Sequence, residues 1–212
     1  MKTHHPRKDH KGRLVPIDHP HQPSNLETWS RADQHATVTP DSPMPAKVAG
    51  LSIASWSHVP ASNAGWEELA QLEAFDEPAR KVVHGKPPAS GAVVVEVDDR
   101  VWVVSPSNSF GGYSNTFPKG KVDAGLSPRA NALKECFEES GLQVELTGFL
   151  CDSERSTSVT RYYLARRVGG NPADMGWESQ AVHLVPISQL TKFASHTNDQ
   201  GILEALNTKL AG

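Results

Sequence analysis

The 212-residue sequence predicts an α/β (α+β) domain in which a mixed β-sheet is flanked by helices. Three observations predict it. Residues 92–97 and 101–104 are β-branched runs separated by Asp98, Asp99 and Arg100, which reads as a β-hairpin. A helix is marked at both ends, by Ser127 before Pro128 as N-cap and first helical residue and by Gly141 as the C-terminal stop. Beyond it, strand-like runs at 144–151, 161–166 and 181–186 lead to helical spacing over 199–210, so strands alternate with two helices.

Taken in order, residues 1–45 show neither regular period and hold six of the ten histidines, His4, His5, His10, His19, His21 and His35. They read as an N-terminal arm, extended or partly disordered, and scattered histidines in a polar tail are usually solvated rather than metal-bound. Residues 46–88 read as an extension packing on the main domain, with a strand over 48–56 and a helix spaced through Trp66, Leu69, Leu72 and Phe75. The main domain runs over 89–212. Its hairpin leads into a glycine-rich loop carrying Phe110 and Tyr113, then Phe117-Pro118-Lys119-Gly120-Lys121, then the capped helix; a second loop occupies 169–177.

Composition narrows the function. The chain is 37% hydrophobic and 21% charged, as soluble globular proteins are, and its formal net charge of −3 without a long basic run argues against a general nucleic-acid binder. A small phosphorylated partner fits better. The two cysteines, Cys136 and Cys151, lack any nearby Cys/His framework, which speaks against a disulfide scaffold or a zinc ribbon. No apolar signal core lies near Met1 and no stretch approaches the roughly 20 apolar residues that cross a bilayer, so no membrane partner and a cytoplasmic location are expected.

The chemistry concentrates on the capped helix. With Glu135 set at zero and about 100° per residue, Glu139 falls at about 40° and Glu138 at about 300°, so the three carboxylates share one face. Ala130, Leu133, Cys136 and Phe137 take the other side, for burial against the sheet. Like charges at these spacings repel by a few tenths of a kcal/mol per pair, roughly, and Lys134 is the local counter-charge. A solvated acidic face is the ordinary explanation of such a stripe. The alternative is a cation over it, and carboxylate-only ligands suit Mg²⁺ or Mn²⁺.

Context favours the cation. Gly120, Glu135, Glu138, Glu139, Gly141 and Leu142 fall at the spacing of the Nudix box, which this segment resembles; the family pattern has Glu where this chain has Leu126, Arg where it has Lys134, and an aliphatic residue where it has Cys136. The resemblance covers residues 89–210 and implies an α/β/α sandwich. It also implies metal-dependent hydrolysis of a nucleoside diphosphate linked to another group X, with the metal held by Glu135, Glu138, Glu139 and the Gly120 carbonyl. Glu138 and Glu139 would be catalytic, and Glu178, just before the last strand, would join as a further ligand or general base. The family uses the missing Glu and the Arg to brace the loop, so Leu126 and Lys134 look like one linked change that loosens the carboxylates, since lysine offers no bidentate fork.

Substrate contacts are expected from Lys119 and Lys121, which flank Gly120, and from Tyr113, Tyr162 and Trp177, with one of Phe110, Tyr113 and Trp177 stacking on a base. The Phe-Pro-Lys-Gly-Lys string resembles that of dinucleoside polyphosphate, mRNA-cap and inositol polyphosphate hydrolases, which points to a dinucleoside polyphosphate or related nucleotide. ADP-ribose or an RNA 5′ end is the alternative substrate, ADP-ribose being disfavoured because the proline expected downstream is absent from residues 156–160. A catalytically weakened domain that binds nucleotides or a protein is the alternative function. An arm exchanged between subunits would make a homodimer.

Overall fold

In the computed structural model, which describes residues 3–72 and 74–211, the elements follow in the order β1 (Thr3–His4), β2 (Pro16–Ile17), β3 (Ala36–Val38), β4 (Lys47–Val48), β5 (Leu51–Ser52), α1 (Asn63–Ala70), β6 (Pro88–Val95), β7 (Arg100–Pro106), β8 (Lys119–Lys121), α2 (Pro128–Ser140), β9 (Leu142–Glu154), β10 (Val159–Gly170), β11 (Ser179–Pro186), α3 (Leu190–Phe193) and α4 (Gln200–Leu210). The main sheet is ordered β3-β11-β7-β6-β10-β9, with β8 also paired to β6. It is mixed, because β6 and β10 run parallel while the other pairs are antiparallel. One face is covered by α2 and α1 around Trp102, Leu133, Cys136 and Tyr163, the other by α3 and α4 around Val93, Val103, Ile202 and Leu206. This is the α/β/α sandwich.

Local rules account for the elements that build the site. The turn between β6 and β7 closes with Asp99 in the left-handed region (φ 60°) and Glu96 N–H donating to the Arg100 carbonyl at 2.8 Å. Strand β6 starts at Pro88, earlier than its β-branched run, because its first half lies between β8 and β10. There Gly91 is obligatory: a Cβ would stand 2.3 Å from the Pro118 carbonyl. Helix α2 is capped by the Ser127 hydroxyl, which accepts from Ala130 N at 3.2 Å, and stops at Gly141 (φ 68°).

The N-terminal segment departs from the expected arm. Residues 36–38 form the edge strand β3 on β11, and Trp29, 1% exposed, stacks on Trp102 at 5.9 Å in the core. The lack of period in the sequence reflects very short strands, which carry almost no alternation to detect. Of the segment's six histidines His4, His10, His19 and His35 are exposed as expected, while His5 is buried and His21 is half-buried beside Gln180 and Ser105. In the extension the strand expected over 48–56 shrinks to the small hairpin β4–β5, and α1 ends before Leu72 and Phe75. Phe75 instead packs on Tyr163. Among the described residues no helix is long and apolar enough to cross a membrane.

Candidate active site

Helix α2 is fixed in rotation by its apolar side. Ala130, Leu133 and Cys136 are buried, and Phe137 meets the Trp56 and Trp66 rings at 5.3 and 6.4 Å. The opposite side faces the β8 segment. There Lys119 N–H donates to Glu139 Oε2 at 2.9 Å, and Gly120 lies so close to Glu135 that a Cβ would fall 2.2 Å from both carboxylate oxygens. Buried Asn131 holds this loop: its Oδ1 accepts from Asp123 N at 3.0 Å, and its Nδ2 donates to Ser90 Oγ at 3.0 Å and to the Gly120 carbonyl at 3.5 Å.

A second loop brings in Glu178. Gly176 N–H donates to the Glu138 carbonyl at 2.7 Å, in a space where a Cβ would come within 2.5 Å of that oxygen. Ser107 fixes the next residues, its N–H donating to the Glu178 carbonyl and its hydroxyl to the Trp177 carbonyl, both at 2.7 Å. One carboxylate oxygen each from Glu135, Glu139 and Glu178 then lies within 4.8 Å of the others.

Electrostatics set the character of this triplet. Burial pushes Glu135 up to about 9, assisted by the charges of Glu139 and Glu138, and no hydrogen bond is made to its carboxylate among the described residues. Burial raises Glu139 to about 7 against the pull of Lys119, with Glu178 and Glu138 adding to the rise. Glu178 is raised as well by partial desolvation, with Glu138 adding to the rise, although its side chain is still 45% exposed. Three crowded carboxyl groups, one of them buried without a donor, form a donor set for a hard divalent cation, which would restore all three to the charged form.

The remaining expected residues divide. Glu138 is outside the triplet: it is exposed and takes Lys134 Nζ at 3.0 Å, while the same lysine reaches Asp123 at 2.9 Å. Lys134 therefore has a carboxylate partner in the loop although the pattern's first Glu is absent. Leu126, standing in that place, is buried in the core, and the loop is braced from outside the box. Glu67 on α1 accepts the Ser127 N–H, and Asn63 Nδ2 donates to the Ala124 carbonyl at 3.1 Å. Lys119 lies beside the triplet with its Nζ 5.5 Å from the Tyr113 ring centre, and Lys121 is exposed on β8.

Tyr162 is not open to a ligand: it is fully buried, and its hydroxyl accepts from Arg155 at 2.8 Å. Tyr113, 8% exposed, is also committed, with its hydroxyl taken by Arg155 and by Asn198 Nδ2 at 2.8 Å and its ring stacked on His196 at 4.1 Å. Both tyrosines wrap Arg155, which also pairs with buried Asp199 at 2.7 Å. Trp177 is half-buried beside Glu178, and Phe110 is 82% exposed at the loop tip. Sequence reasoning missed Asn131 and Arg155. Asn131 had a usable signal, an amide on the carboxylate face of α2 one turn before Glu135; Arg155 had none.

Fold and site together define an α/β/α sandwich that gathers three carboxylates, from α2 and from the loop before β11, within 4.8 Å of one another. The NUDIX domain family model matches residues 85–206, more than half of the chain, and the chain belongs to the Nudix hydrolase family. A curated relative, "Putative mutator protein MutT4" of Mycobacterium tuberculosis, is 26% identical over 97 residues, which are 42% of this chain and 39% of that protein, so the match spans less than half of that relative. Two Nudix hydrolase structures from Nitrosomonas europaea superpose with TM-scores of 0.52 and 0.51. The first is 14% identical and covers 60% of this chain and 90% of its own; the second is 17% identical and covers 62% and 77%. At these identities the likeness speaks to the fold.

Proposed function

We propose that the protein hydrolyses a phosphoanhydride bond of a nucleoside diphosphate linked to another group, with Mg²⁺ or Mn²⁺, and that its preferred substrate is a dinucleoside polyphosphate or related polyphosphorylated nucleotide. The observation that carries the reading is the triplet of Glu135, Glu139 and Glu178 within 4.8 Å, with Glu135 buried and undonated. Divalent metal held there would neutralise phosphate oxygens and act as the Lewis acid of the reaction.

The chain's own residues do the rest. Glu135 and Glu139 would be the principal holders of the metal, with the Gly120 carbonyl, which lies 3.5 Å from Asn131 Nδ2, as a further candidate ligand. Glu178, on a loop rather than on α2, would serve in this reading as the base that accepts the proton of the attacking water. Glu138 serves through Lys134, which it ties to Asp123 so that the loop and helix stay in register. Lys119 and Lys121 lie on either side of Gly120 and meet phosphate oxygens as point charges. The lysine-flanked Gly120 string and the absence of a downstream proline support a polyphosphate chain over ADP-ribose.

The test is product release from a panel of dinucleoside polyphosphates, nucleoside triphosphates, ADP-ribose and 5′-capped RNA, with Mg²⁺ and with Mn²⁺. Turnover is expected with the polyphosphorylated nucleotides and is expected to disappear in Glu139→Gln. Absence of turnover on the whole panel, or an unaffected Glu139→Gln enzyme, rejects the reading.

A further inference from the structure

The N-terminal hairpin lies outside the 85–206 family match, yet its tip meets the loop that presents Glu178. His10 stands edge-on to Trp177 with ring centres 5.3 Å apart, and its Nε2 lies 4.0 Å from Glu178 Oε1. The side chain is 79% exposed, so the imidazole does not fill a core position.

The tip is built rather than loose. Asp9 Oδ1 accepts from Lys11 N at 2.9 Å and Arg13 N at 2.8 Å, Gly12 N–H donates to the Asp9 carbonyl at 2.9 Å, and Gly12 takes the left-handed conformation (φ 72°) that closes the turn. The hairpin is also bolted to the body. Asn108 Nδ2 donates to the Pro16 carbonyl at 2.7 Å, its Oδ1 accepts from Asp18 N at 2.9 Å, and Arg7 pairs with Asp41 at 3.1 Å. Asn108 adopts φ 55° to do so, an unusual state for a residue other than glycine. The residue before it, Ser107, holds Trp177 and Glu178, so hairpin, loop and candidate ligand form one connected unit.

The charge of the tip fits an anion. Residues 7–13 contain Arg7, Lys8, Lys11 and Arg13 against the single acid Asp9, beside a site otherwise lined with carboxylates. Arg7 and Arg13 are engaged in ion pairs, while Lys8 and Lys11 are exposed and make no ion pair among the described residues. An anionic group reaching past Glu178 from the carboxylates would meet the His10 ring and the short turn that carries Lys8 and Lys11.

We propose that the N-terminal hairpin is the outer wall of the substrate site, where His10, backed by Trp177, contacts a phosphate group remote from the bond that is cut. The inference rests on the hydrolase reading and adds to it a determinant that the family domain lacks: a preference for long phosphate chains set by residues 7–13.

The test compares wild type with His10→Ala and with the double variant Lys8→Ala/Lys11→Ala, in three measurements: steady-state kinetics on a dinucleoside tetraphosphate and on ADP-ribose, Mn²⁺ binding by calorimetry, and binding of inorganic tripolyphosphate to the Mn²⁺-loaded protein. His10→Ala is expected to raise KM for the tetraphosphate about tenfold, as loss of a contact to a charged group does, with little change for the shorter ADP-ribose. It is expected to leave kcat and Mn²⁺ affinity in place. The lysine variant is expected to weaken tripolyphosphate binding in the same direction. An unchanged KM overturns the proposal, and so does a His10→Ala protein whose Mn²⁺ affinity falls in step with its activity, because His10 would then only hold Glu178. If wild type turns over nothing, the hydrolase reading fails by itself and tripolyphosphate binding decides the hairpin: equal affinity in all three proteins rejects it.

Discussion

Replacing Glu135 with Gln separates a cation site from a merely acidic helix. Folding raises the Glu135 carboxyl from an ordinary 4.5 to about 9, chiefly by burying it and then by placing it near Glu139 and Glu138. Between those two pH values the metal-free folded protein keeps a proton that the unfolded chain releases. Its stability therefore falls as pH rises through the window, by about 1.4 kcal/mol per pH unit for one group. From pH 5.5 to 7.5 the loss is at most about 3 kcal/mol, which for a chain of this size is at most roughly 6–12 °C in Tm. Glutamine carries no charge and escapes this penalty. Metal-free Glu135→Gln is expected to match wild type near pH 5 and to melt above it at pH 7.5. Saturating Mn²⁺ is expected to reverse the order, since a ligand at 100 times its Kd adds about 2.7 kcal/mol to wild type and little to a variant lacking one ligand. The assay is thermal unfolding at both pH values, with chelator and with Mn²⁺. The reasoning is refuted if Glu135→Gln is no more stable than wild type in chelator at pH 7.5, or if Mn²⁺ stabilises both proteins equally.

Three other perturbations test separate parts of the structure. Gly120→Ala sets a Cβ 2.2 Å from the Glu135 carboxylate, which must swing away; a displacement of this size is expected to cost roughly 100-fold in kcat/KM and to abolish calorimetric Mn²⁺ binding, while Tm stays close to wild type. Phe110→Ala removes an 82% exposed ring that packs on nothing in the core, so Tm is expected to hold while KM for base-carrying nucleotides rises about tenfold by loss of stacking and inorganic tripolyphosphate binding is untouched. His183 is buried between Thr37 Oγ1 and Ser105 Oγ, each at 2.8 Å, and burial holds it down at about 3. The unfolded chain therefore binds a proton below about 6.5 that the folded chain refuses, and stability falls with acidification by about 1.4 kcal/mol per pH unit; chemical denaturation at pH 6.5 and 4.5 should show a shallower loss in His183→Gln by about 2–3 kcal/mol.

The parts that sequence reasoning reached are those governed by short-range rules. A helix that begins at Ser127-Pro128 and ends at Gly141 follows from capping chemistry within a few residues. The shared face of Glu135 and Glu139 follows from helical geometry alone. The hairpin of β6 and β7 likewise follows from two β-branched runs around a polar turn. What was not legible depends on partners far along the chain. Tyr162 sits on a strand whose alternation allows either face, and only the Arg155–Asp199 pair behind it explains why its hydroxyl turns inward. Tyr113 is drawn in by the same arginine.

The substitutions at Leu126 and Lys134 carry the same lesson furthest. Against the family pattern alone, Leu126 and Lys134 read as the loss of a brace. In the fold Lys134 finds Asp123 three residues before Leu126, and the Ser127 N–H is taken by Glu67, sixty residues earlier on α1. A leucine at 126 can be buried because the extension supplies both the apolar cover of Trp66 and the acceptor that the loop requires. The box and the extension therefore act as one unit, and the departure from the pattern is intelligible only when residues 46–88 are counted as part of the active-site scaffold. By the same logic the N-terminal hairpin is tied to that scaffold through Asn108, whose neighbour Ser107 holds the backbone of Trp177 and Glu178.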